Sequence, residues 1–231
     1  MSGLVVAVRS GLRVLANPDD APAMRAYMKS AMPFLGVRAP AVKLLCRKVY
    51  ADHRLPDCTA WESAIRALFD EATYREERYA ALSLVGHRLY REFATSPSSL
   101  VLFEHLITTG AWWDIVDDVS HRVGDVLLAH RAATTPVMRG WSRSDDLWLR
   151  RTSIICQLGH KSETDTGLLT NVIEANIADR EFFIRKAIGW ALREYARSER
   201  AWVLEFVADH GELSPLSKRE ALKHLGTTQS S

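Results

Sequence analysis

Apolar positions recur at three- and four-residue spacing along almost the whole chain, and strict apolar–polar alternation is nearly absent. That period predicts helices, because a 3.6-residue turn brings positions i, i+3, i+4 and i+7 onto one face. About a dozen amphipathic segments of roughly ten to twenty residues emerge, a length ordinary for globular helices. Among them are residues 60–69, 74–93, 99–108, 147–158, 181–197 and 201–210. Helix starts are signalled by S/T-x-x-E patterns (Thr59 with Glu62, Thr73 with Glu76, Ser217 with Glu220) and by Pro97, Pro136 and Pro215, each after Ser or Thr. In such starts a side-chain oxygen accepts from free N–H groups of the first turn, and proline tolerates the first helical position. Gly110 and Gly211 fall where helices should stop, and Gly36 falls in a loop. Short connections favour antiparallel helix pairs at the spacing of HEAT-type repeats. The repeats share no visible identity, which leaves an irregular helical bundle as the alternative. No linker or composition shift marks a boundary, so residues 1–231 read as one all-α domain.

Composition adds limits. The chain has 231 residues, enough for a sizeable core, and is 47% hydrophobic and 25% charged, which argues against wholesale disorder. Thirty basic residues against 28 acidic ones give a net charge of +2. That balance neither demands nor excludes a polyanion; what matters is whether positive charge gathers on one face. The apolar run from Leu4 to Val8 ends at Arg9 without the features of a signal peptide, and no apolar stretch approaches the ~18 residues of a spanning helix, so no membrane partner is expected. Three widely separated cysteines, Cys46, Cys58 and Cys156, argue against a disulfide framework or a zinc site and fit a reducing cytoplasm.

No G-x-G-x-x-G, P-loop, H-E-x-x-H or G-x-S-x-G pattern is present. Candidate chemistry lies elsewhere. In the helix expected to open at Ala111, Trp112, Val116, Val119 and Val123 form a core stripe, while Trp113 and Asp117, four apart, share another flank. An aromatic face beside a carboxylate suits a cationic ligand; a core tryptophan beside a solvated aspartate gives the same pattern. In residues 181–197 the core stripe is Ile184, Ile188, Ala191 and Tyr195, and Phe183, Lys186, Trp190, Arg193 and Arg197 form a second stripe. Cations interleaved with aromatics suit a nucleic-acid surface, or else snorkel over a half-buried tryptophan. Arg151 projects among Leu147, Ile154, Ile155 and Leu158, where a guanidinium needs an anion, either an internal carboxylate or a bound phosphate. Arg150 beside it is expected to face solvent. Ser217, Lys218 and Arg219 open a helix that suits a phosphate or is simply a capped surface helix.

Four segments together resemble the AlkD-like DNA alkylation-repair glycosylases: Trp112-Trp113-Asp114-Ile115-Val116-Asp117, Leu147-Trp148-Leu149-Arg150-Arg151, the run from Glu181 to Tyr195, and Pro215-Leu216-Ser217-Lys218-Arg219-Glu220-Ala221. Tyr27-Met28-Lys29, Phe34-Leu35-Gly36 and Pro40 are similar to the N-terminal part of that family. The resemblance implies a right-handed solenoid of HEAT-like helix pairs whose concave face binds duplex DNA. It implies hydrolysis of N3- or N7-alkylpurine glycosidic bonds by a monomer, without metal or cofactor and without flipping the lesion out. Asp117 is then the catalytic carboxylate, flanked by Trp113 and Trp190, and Arg151 contacts the DNA backbone. DNA contacts are expected as well from Tyr27, Lys43, Phe183, Lys186, Arg193, Ser217, Lys218 and Arg219. One departure stands out: after Pro40 the family commonly carries adjacent basic residues, whereas here Ala41-Val42 precede Lys43. A DNA-binding relative without chemistry and a helical-repeat protein scaffold are the rival readings.

Overall fold

The structure, a computed structural model, describes residues 2–225, and within them every regular element is helical. The chain divides at Ala94–Thr95 into two compact units, each described by itself. Among the described residues no helix is long and apolar enough to cross a membrane.

The first unit holds α1 (Gly3–Val14), α2 (Ala21–Met28), α3 (Ala39–Asp52), α4 (Cys58–Asp70), α5 (Arg75–Val85) and α6 (Arg91–Ala94). Leu4, Val5, Val8 and Leu12 form the buried stripe of α1, which packs on α3, α4 and α5. The single helix expected over 74–93 is broken: α5 stops at Val85, and a 3-10 turn at Arg88–Tyr90 precedes α6. Glu76 does not close a capping box with Thr73. Its buried carboxylate instead accepts from the backbone N–H groups of Leu35, Gly36 and Val37, at 3.0, 2.9 and 3.1 Å. Three donors from one loop outweigh a single first-turn N–H. That loop leads from α2 into α3 and so sets where α3 begins.

The second unit holds α7 (Ser99–Gly110), α8 (Trp113–Ala129), α9 (Arg131–Trp141), α10 (Leu147–Ile155), α11 (Thr166–Glu174), α12 (Phe182–Tyr195), α13 (Arg200–Asp209) and α14 (Pro215–Ala221). α8 packs on α10, α10 on α12 and α12 on α14, so every second helix stands beside the next in one row. Onto this row pack α9, α11 and α13, with α7 against α8 and α10. The stripes expected for α8 and α12 are buried at Val116, Val119, Val123, Ile184, Ile188, Ala191 and Tyr195.

Helix starts differ from the sequence expectation in instructive ways. α4 is capped by Asp57, whose carboxylate accepts from Ala60 N–H at 2.8 Å, so Thr59 lies inside the helix. α14 does begin with Pro215 after its cap Ser214, and Ser217 is therefore an interior, buried residue rather than a cap. Pro97 lies in the turn ahead of α7, and Pro136 lies inside α9, which starts five residues earlier at Arg131. The helical ladder is already running at Thr134, whose N–H bonds the His130 carbonyl, so Pro136 lies beyond the unpaired first turn, leaves the Ala132 carbonyl without its helical donor, and does not mark the start.

Two glycines let the row close up. A Cβ at Gly124 of α8 would lie 2.1 Å from the carbonyl oxygen of Cys156, and one at Gly189 of α12 would lie 2.5 Å from Cβ of Glu220 and 2.9 Å from the carbonyl oxygen of Ser217. Backbone cannot yield as a side chain can, so overpacking applies in full. Gly124→Ala is expected to lower the unfolding free energy by about 1–3 kcal/mol, read as a shift of the urea midpoint at unchanged m-value. An unchanged midpoint would show that α8 and α10 do not approach this closely.

Candidate active site

Asp117 lies one turn beyond Trp113 on α8. The chain reaches α8 through Ala111 in the left-handed region (φ 41°) and Trp112 in extended conformation, so the helix starts at Trp113 rather than at Ala111. With both residues in the first two turns, Trp113 and Asp117 share a face, and both are half-buried. From α10, the buried Arg151 meets Asp117 fork to fork. Its Nε donates to Oδ1 at 2.8 Å and its Nη2 to Oδ2 at 2.9 Å. Nη1 donates to the carbonyl oxygen of Phe183 in the first turn of α12, at 2.7 Å. Of the two anions open for Arg151 at the sequence level, the one it faces is the internal carboxylate, and it is only 5% exposed. The Asp117 side chain keeps 19% of its surface open. Each of its oxygens accepts one bond from Arg151, which leaves a lone pair on each for a water or a substrate.

An aromatic cluster adjoins this pair. Trp112 packs edge-on against Trp148 and Phe183, with centroids 6.1 and 5.7 Å apart, and Trp148 lies 5.0 Å from Phe183. The Arg151 guanidinium stands 5.8 Å from the Phe183 ring centre. Trp112 thus belongs to this cluster and not to the valine stripe, because as the cap of α8 it has left helical geometry. Its buried indole N–H has no hydrogen-bond partner among the described residues. Phe182, 56% exposed, packs edge-on against Phe183 at 5.4 Å. Its exposure was not legible from sequence, although the Phe182-Phe183 pair hinted that one ring must face outward. Trp190 on α12 is half-buried.

The candidate cations are distributed unequally. Lys186 Nζ lies 2.9 Å from one Glu220 oxygen, and Arg193 Nη1 donates to the other, so both are paired to α14. Ser217 Oγ donates to the Arg185 carbonyl at 2.9 Å, while Ser217 N–H is taken by Ser214 Oγ. Lys218 Nζ donates to the Gly211 carbonyl at 2.9 Å; Arg219 is exposed. Arg150 does not point to solvent but pairs with Asp179 at 3.2 Å. In the first unit Tyr27 is 76% exposed and Lys43 is exposed, with the exposed Arg47 one turn on. Of the Ala41-Val42 pair that follows Pro40, Val42 is core at 3% exposure. Among the described residues no three His, Cys, Asp or Glu side chains gather into a metal-holding group.

Comparison with known proteins identifies a family. The sequence matches the family described as DNA alkylation repair enzyme over residues 8–225. A solved structure described as a predicted DNA alkylation repair enzyme from Enterococcus faecalis shares 32% identity, with a TM-score of 0.82, 92% of this chain and 97% of that one covered. AlkD2 from Streptococcus mutans shares the fold at 14% identity and a TM-score of 0.62, covering 79% of this chain and 89% of its own. No curated protein matches the sequence.

Hydrogen bonding to Lys186, and then to Arg193, holds the Glu220 carboxyl at about 2 instead of the usual 4.5, against burial that pushes it up. A carboxylate lowered in the folded state contributes stability above its unfolded pKa and loses it as pH falls through the folded one. The stability gap between the parent and Glu220→Gln is therefore expected to narrow as pH falls from about 4.5 to about 2. Urea unfolding at stepped pH measures it, and a gap independent of pH would rule out the clamp.

Proposed function

The chain belongs to the DNA alkylation repair enzyme family, and on that premise we propose that it is a monofunctional glycosylase hydrolysing the N-glycosidic bond of N3- or N7-alkylated purines in duplex DNA. The observation that carries this reading is the Asp117 carboxylate, held by the buried Arg151 fork yet partly open, on the same helix face as Trp113.

Alkylation at N3 or N7 makes the purine cationic, so it departs without a general acid. The bond from C1′ to the base breaks with its electron pair going to the base, which leaves neutral. An oxocarbenium-like sugar remains, the kind of transition state that carboxylates stabilise in glycoside hydrolysis. Asp117 opposes the positive charge at C1′ and orients a water whose oxygen bonds to C1′ and whose proton passes to the carboxylate. Trp113 and Trp190 hold the sugar and the cationic base edge through their ring faces. Arg151 acts through Asp117: with three of its N–H groups taken by Asp117 and Phe183, it fixes the angle of the carboxylate. Phosphate contacts fall to exposed residues, Tyr27, Lys43 and Arg219 among them. The lesion stays in the duplex, and the protein works as a cytoplasmic monomer without cofactor.

Asp117→Asn is expected to lose about two or more orders of magnitude in single-turnover excision while duplex binding persists. The assay uses N7-methylguanine, N3-methyladenine and a bulky N3-adenine adduct in one duplex context. Excision at the parent rate would remove Asp117 from the chemistry, and a parent that binds but excises none of the three would leave DNA binding alone. Trp190→Ala is expected to slow excision more than it weakens binding to undamaged duplex. An equal loss in both would make Trp190 a general DNA contact.

A further inference from the structure

Lys186, Trp190 and Arg193 stand four and three residues apart and share one face of α12. By sequence this is the stripe best suited to DNA. The structure places a carboxylate between its two cations. Glu220 meets Lys186 with one oxygen at 2.9 Å and Arg193 with the other. The Glu220 side chain is only 12% exposed, against 41% for Lys186 and 22% for Arg193. The approach depends on Gly189, where any Cβ would lie 2.5 Å from Cβ of Glu220 and 2.9 Å from the Ser217 carbonyl oxygen. Ser217 Oγ fastens α14 to the Arg185 carbonyl on the same helix, so Glu220 is held in place independently of its ion pairs.

A cation that neutralises a phosphate releases a counterion, and the affinity of a protein for undamaged duplex rises with the number of such contacts. Lys186 and Arg193 would supply two. We propose that Glu220 is a positioning residue that withholds Lys186 and Arg193 from DNA phosphates, keeping the Trp190 face of α12 from adding to non-specific duplex affinity. The inference rests on the duplex-binding part of the proposed function and not on its glycosylase chemistry.

The test is the salt dependence of binding to undamaged duplex. Glu220→Gln keeps the shape of the side chain and removes its charge. Its slope of log K against log salt is expected to steepen by about 0.9 for each cation released, up to about 1.8 for both, with tighter binding at low salt. Lys186→Gln with Arg193→Gln in the parent background should leave the slope nearly unchanged, and the same pair added to Glu220→Gln should cancel the gain. The double variant in the parent is informative even if Glu220→Gln folds poorly: a slope shallower by about 1.8 would mean that both cations already contact phosphate, overturning the proposal. An unchanged slope in folded Glu220→Gln would overturn it as well. A parent without salt-dependent duplex binding would instead overturn the DNA-binding reading itself, whereas failed excision leaves every arm of this test readable.

Discussion

Arg151 joins three helices of the second unit through one guanidinium. Two N–H groups grip the Asp117 carboxylate on α8, a third holds the Phe183 carbonyl on α12, and the side chain itself rises from α10. A planar fork does this where a lysine could not, because a single ammonium lacks the parallel donors that match a carboxylate. The desolvation of a charge this deeply buried is offset only while its partner is present. Removing either partner of such a buried pair typically costs about 3–5 kcal/mol, a large part of the about 5–15 kcal/mol that stabilises an ordinary domain. The contact that aims the candidate carboxylate is thus also a structural tie within the second unit.

The same economy runs through the charge distribution. A net charge of +2 gives little surplus for a polyanion. Several cations of the row are engaged internally: Arg150 by Asp179, Arg151 by Asp117, and Lys186 with Arg193 by Glu220. What remains outward on this row is aromatic as much as basic, with Phe182 exposed and Trp113 and Trp190 half-buried. Such a surface favours contacts with sugar edges and cationic rings over a dense set of phosphate contacts, in keeping with the proposed substrate, whose alkylated base is cationic until the bond to the sugar breaks.

Backbone geometry makes these contacts possible. Gly124 and Gly189 remove the side chains that would hold α8 from the end of α10 and α12 from α14. The short connection through Ala111 and Trp112 turns the chain from α7 into α8 so sharply that Trp112 leaves the helix and joins Trp148 and Phe183. Each of these features acts on the candidate site by setting how neighbouring helices meet.

Much of this was legible one helix at a time. Apolar periodicity located the buried stripes of α8 and α12, and four-residue spacing put Trp113 beside Asp117, because both depend only on 3.6 residues per turn. An arginine at an apolar position already required an anion. Which anion it met was not legible, since Asp117 lies 34 residues away on another helix, as Glu220 lies 27 residues from Arg193. Helix starts were misplaced at Thr59, Thr73 and Ser217 for a related reason: several residues near each start offer a similar oxygen, and packing selects among them. Periodicity is local, so the sequence alone determined the helical class, the buried valine stripe of α8, the buried stripe of α12 and the Trp113–Asp117 flank, but not the break after Val85 or the place of Trp112. Ion pairing and close approach depend on how helices meet, so only the tertiary structure decided that Arg151 serves that carboxylate and that the most basic face of α12 is answered from α14.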